Sequence, residues 1–144
     1  KPIFYFEYGR INSGDANLNW RLQIWQDVYK DLHENNQLLN GHGFIGVIPA
    51  MQEIERMGLD GSNQNVHNYF INILARGGIV HLASYIVFIG LLLVKISTLP
   101  NKSEVFVFTI SCLFVSCFDS SMETVRFPLI FYLLISANLY KSNH

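Results

Sequence analysis

The chain has 144 residues, half of them apolar and 14% aromatic, with ten basic against eleven acidic side chains. No Lys/Arg cluster or stripe is present, so the composition excludes a nucleic-acid footprint and shifts the chain toward the membrane class. It begins at Lys1-Pro2 with no signal-peptide pattern nearby, which makes a piece of a longer protein the expectation.

Residues 1–68 are mixed and polar, rich in Asn and Gly. Leu18, Leu22, Trp25, Val28, Tyr29 and Leu32 recur there at helical spacing behind Asp15 or Asn17 as a cap, which predicts an amphipathic helix with Arg21 along its apolar stripe. Asn35-Asn36 and Gly41-His42-Gly43 end it in a tight turn. A shorter helical pattern follows through Ile48, Met51, Ile54 and Met57 and stops at Gly58, ahead of the loop "GLDGSNQN".

Residues 69–140 are dominated by Ile, Leu, Val and Phe. The run Ile79 to Val94, with neighbours on both sides, reaches the ~20 residues that a membrane-spanning helix needs. Ser97 to Asn101 breaks it, and two apolar runs follow, Val105 to Phe118 and Phe127 to Tyr140, which become long enough when their polar flanks are counted. The expectation is an all-α membrane protein: a polytopic helical bundle fragment with about three transmembrane helices, near 69–96, 104–121 and 124–140, and a large outer loop, 1–66, containing amphipathic helices. Lys95, Lys102 and Lys141 mark the cytoplasmic side, so the loop lies outside and the C-terminus inside.

Four features carry possible chemistry. Taken as one helix, Val66 to Ile96 would be ~45 Å long, which places His67 at the outer interface. There it either acts as a general base or, with Asn68, merely caps the helix. Arg21 is either a snorkelling side chain or a bidentate clamp for a diphosphate. Asp119, Glu123 and Arg126 stand at the outer ends of the last two runs, where pairing within their loop competes with a functional role. Gly41-His42-Gly43 is a turn with an exposed His42, or a weak phosphate-binding signal. The five histidines contain no pair at helical ligand spacing, so no metal site and no cofactor is implied. Cys112 and Cys117 stand ~7.5 Å apart along one helix, too far for a disulfide.

"RLQIW", then "GHGFIG", then "HNYFINILARGG" running into a span resembles the O-antigen polymerase and ligase family of bacterial envelope glycosyltransferases, over roughly residues 12 to 140. The resemblance implies a multi-pass protein of the bacterial inner membrane whose substrates are a polyprenyl-diphosphate-linked oligosaccharide and an acceptor glycan or lipid A core. It implies His67 as base, Arg21 as diphosphate clamp, Gly41 and Gly43 as the family's G-x-G turn, Gly77 or Gly78 as the glycine after the histidine, and no metal. Arg10 and Arg126 are weaker candidates for the clamp, and Asn68 would orient His67 or the acceptor. Trp25, where ligases more often have leucine, leans toward a polymerase. The competing expectation is a non-catalytic polysaccharide or lipid transporter, or a flippase fragment, with His67 and Arg21 as a polar gate.

Overall fold

A computed structural model describes residues 2–56, 63–119 and 121–141. Its elements are strands β1 (Phe4–Glu7) and β2 (Arg10–Ser13), helix α1 (Ala16–Glu34), a 3-10 turn at Pro49–Met51, helix α2 (Tyr69–Ile96), helix α3 (Lys102–Ser116), a 3-10 turn at Ser121–Glu123, and helix α4 (Arg126–Lys141). Met57, Gly58, most of the "GLDGSNQN" loop and His144 lie outside the described residues.

The chain is mostly helical but not all-α. Strands β1 and β2 form an antiparallel hairpin in register Phe4↔Ser13 to Glu7↔Arg10, joined by Tyr8-Gly9. Its sequence lacks the apolar–polar alternation that marks a half-buried strand, because all four residues of β1 are exposed. The hairpin is tied to α1 instead: Gln26 accepts from the Ile11 N–H through Oε1 and donates to the Ile11 carbonyl through Nε2, each at 2.9 Å.

Helix α1 starts where Asp15 caps it, accepting from the Leu18 N–H at 2.7 Å. It ends at Asn35, with Asn36 in the left-handed region at φ 55°, a conformation that Asn tolerates. Its buried residues are Ile24, Val28 and Leu32, a stripe rotated from the expected one, and Tyr29 is exposed. They meet Ile48, Met51, Val66 and Ala75 in one core. The expected second amphipathic helix reduces to the turn Pro49–Met51 among the described residues.

Helix α2 departs most from expectation. At Gly78 the backbone leaves the helix (φ 66°, ψ −169°). In a straight helix Tyr69 and Tyr85 would stand ~24 Å apart along the axis, yet their rings lie 5.4 Å apart. The chain therefore folds back at Gly78 into an arm, residues 69–77, packed on the helix 79–96, and the expected single ~45 Å rod is overturned. The break creates new helix ends, and the segment Leu38 to Gly43 satisfies them. The His42 and Gly43 N–H groups donate to the Ala75 and Arg76 carbonyls, while the Ile79 and Val80 N–H groups donate to the Leu38 and Leu39 carbonyls. The approach is so close that a Cβ at Gly41 would collide with the Arg76 backbone, and one at Gly78 with the Leu39 carbonyl.

Helices α3 and α4 have 15 and 16 residues, shorter than the runs expected near 104–121 and 124–140. They pack with the end of α2 around Ile96, Leu99, Val105, Phe131 and Ile135. Helix α2 is long and apolar enough to cross a membrane, and only 17% of its apolar window is buried. Ile86, Val87, Leu91, Val107, Ile130 and Leu133 face outward.

Candidate functional site

The fold-back delivers the start of α2 to the end of α3. Asn68 caps the arm, accepting from the Ile71 N–H at 3.0 Å, and its amide donates to the Cys117 carbonyl at 2.7 Å. The adjacent Phe118 carbonyl accepts from the Arg21 guanidinium, which also donates through Nε to Asn17 Oδ1 at 3.0 Å. Trp20 packs its ring 5.1 Å from that of His67, and the Trp25 indole N–H donates to the Val66 carbonyl at 2.8 Å. Arg21, His67 and Asn68 thus converge where α1, the arm and α3 meet.

His67 precedes its helix and holds φ 52°, a left-handed conformation that histidine adopts more often than most residues. Its N–H is fixed by Asn65 Oδ1 at 2.8 Å. Both ends of the Asn68 amide are engaged, so Asn68 positions His67 through the backbone rather than by a side-chain bond.

Burial lowers the His67 pKa below its ordinary 6.5, and the Arg21 guanidinium lowers it further, with Asp119 opposing. The imidazole is therefore neutral at neutral pH and able to accept a proton. Glu123 follows the same logic with the opposite sign. Its surface stays in part open to solvent, yet the protein around it disfavours the carboxylate and pushes it up to about 7, with Arg76 opposing and Asp119 adding to the rise. A neutral base and an acid near its midpoint thus share the mouth of the bundle.

The other candidates lie elsewhere or are otherwise engaged. Arg10 pairs with Asp27 and donates to the Gln23 carbonyl at 3.2 Å. Asp27 is shared at 2.7 Å with Arg56, a buried arginine that sequence reasoning missed. Gly41 N–H donates to the Gln37 carbonyl and Gly43 N–H to the Arg76 carbonyl, so this G-x-G braces the fold-back and offers no phosphate cradle. His42 is not exposed: its Nε2 sits 2.6 Å from Asp31 Oδ2 with a tenth of the side chain open. Arg126 is exposed at the start of α4, with no ion pair among the described residues, so the expected pairing within its loop does not include it. Asp119 accepts from the Ser121 hydroxyl at 2.6 Å. No group of three or more His, Cys, Asp or Glu is placed to hold a metal among the described residues. Trp20 and Arg76 escaped the sequence reading, although each adjoins a motif residue, Arg21 and Gly77.

The chain matches no protein-family model, no curated protein and no solved structure.

Proposed function

We propose that this chain is part of a membrane glycosyltransferase of the O-antigen polymerase or ligase type, moving glycan from a polyprenyl-diphosphate donor to an acceptor sugar hydroxyl. The observation that carries the reading is the convergence of a neutral His67 with a tethered, half-exposed Arg21 at the outer mouth of the bundle. His67 takes the proton of the acceptor hydroxyl as that oxygen attacks the anomeric carbon. The bond from the anomeric carbon to the diphosphate oxygen breaks, and Arg21 stabilises the charge that develops there.

The dimensions support a site at the outer leaflet of a bacterial inner membrane. Residues 79–96 rise ~27 Å, and α3 and α4 ~22–24 Å, each from an end marked by Lys95, Lys102 or Lys141. With those lysines cytoplasmic, three spans cross a hydrocarbon core of ~30 Å, thinned where α3 and α4 end. His67 and Arg21 then stand near the depth of a lipid-borne diphosphate. The outward apolar side chains of these helices, Ile86, Leu91 and Leu133 among them, would meet the acyl chains of the membrane lipids. Polymerase is favoured over ligase only by Trp25.

Single-turnover assays on the full-length protein test the reading. His67→Ala is expected to slow transfer by ~10²–10⁴ with donor still bound. Arg21→Lys keeps the charge but loses the planar fork, so donor use falls sharply. Normal product from both variants, folded at normal levels, would make these residues structural, whereas no product from the wild type itself would turn the reading to the non-catalytic transporter.

A further inference from the structure

We infer that the groove between the hairpin tip and α1 is a subsite for a pyranose segment of a glycan chain, with sugar rings stacked on Tyr8, Tyr29 and Trp25. The glycosyltransferase reading names only the source of that ligand; the groove itself is independent of it. Its volume is about 610 Å3, and its lining includes these three aromatics together with Arg10, Gln26 and Lys30. That is a size and a mixture suited to a small ligand. Apolar ring faces beside polar tips match a pyranose, which has C–H faces and a hydroxyl rim.

Two residues are where folding alone would not put them. Tyr8 is 93% exposed and holds φ 52°. A two-residue hairpin loop with both residues at positive φ favours Asn, Asp or Gly at that position, and a bulky side chain there is strained. Tyr29 falls on the apolar stripe that the sequence predicts for α1 yet is 55% exposed. Both line the groove instead of a core. The donors are also set. Asp27 takes Arg10 through Oδ1 and Arg56 through Oδ2, which fixes the Arg10 guanidinium at the groove wall, while Lys30 has, among the described residues, an exposed 3.8 Å partner in Glu34. Sugar hydroxyl and ring oxygens can accept from both.

Trp25 joins the groove to the candidate site. It lines the groove and, through its indole N–H, holds the carbonyl of Val66, the residue before His67. Trp25 thus touches both the groove and the residue before the base.

The test is binding of lipid-free oligosaccharides of about six sugars, long enough to fill a pocket of this size, released from the producing cell's own surface polysaccharide. They are titrated into full-length protein in nanodiscs and read by saturation-transfer NMR. Tyr8→Ala with Tyr29→Ala should weaken binding roughly tenfold or more, and the paired Phe variants should retain it because the ring faces do the stacking. Tyr8→Gly should raise the Tm by relieving the backbone while still losing affinity, which separates fold from ligand. No binding to the wild type, or unchanged affinity in the double Ala variant, would overturn the subsite. Tyrosine-dependent binding together with undiminished transfer by His67→Ala would leave the subsite standing and remove the proposed catalytic role.

Discussion

The segment before Gly78 and the helices after it obey different rules. In the first, polar side chains reach far along the chain: Trp25 to Val66, Arg10 and Arg56 to Asp27, Arg76 to Gly46. In the second Ser84, Thr109 and Ser116 turn back to carbonyls four residues earlier on their own helices, with the Asn101–Asn138 pair as an exception, and many apolar side chains point outward. One region is built as in water, around its own core; the other is built as if lipid were its solvent, where a polar group satisfies itself locally. The site is assembled at the seam between the two, with its tethers coming from the first region and its platform from the carbonyls ending α3.

The sharpest way to break the comparison is at the seam. Gly78→Ala forces a Cβ into the Leu39 carbonyl at a positive φ and is expected to cost on the order of 4 kcal/mol, or to abolish folding, in denaturant unfolding. Gly90, on the same helix, has open space around it; Gly90→Ala should be neutral or stabilising by up to ~1 kcal/mol. Equal effects of the two would show that the break is not held by this contact.

Next in size is the contrast between cores. Ile24 is fully buried and Leu133 is 60% exposed. Ile24→Ala should destabilise by ~2–4 kcal/mol, whereas Leu133→Ala should change stability by less than ~0.5 kcal/mol. A large loss at Leu133 would mean that another segment covers that face.

The smallest effects are in pH. Folded His67 holds its proton less tightly than the ordinary 6.5, so it favours folding as pH rises through the window just below that value. Folded Glu123 holds its proton more tightly, with about 7 against an ordinary 4.5, so its contribution falls as pH rises from 4.5 to about 7. Glu123→Gln should flatten that second slope. Arg21→Gln removes a charge that repels the imidazolium, so in a transfer assay the acid limb should move to higher pH. An unmoved limb would separate His67 from the titration.

The sequence made α1 legible because one face is apolar at a period of 3.6 and Asp15 and Asn35-Asn36 punctuate it. The apolar runs were legible by length. The hairpin was not, since its exposed strands carry no alternation and its turn carries a tyrosine. The fold-back was half written: Gly77-Gly78 and Gly41-His42-Gly43 both stood out, but that they pair with each other is a fact of tertiary approach, with no local signature. The same holds for the site. His67 and Arg21 could be singled out by residue type and position, whereas the packing of Trp20 on His67 is a contact between α1 and the arm with no local signature.

A cross-link reports on the turn at Gly78. Asn68→Cys, made in a Cys112→Ser background, places a thiol beside the native Cys117, whose carbonyl now accepts from Asn68 at 2.7 Å. A short bifunctional thiol reagent should join positions 68 and 117 rapidly within one chain, and adding Gly78→Ala should slow the joining in whatever folded protein remains. Thiols at 68 and 117 that each label freely with a monofunctional reagent, yet fail to cross-link, would contradict the fold-back and the site built on it.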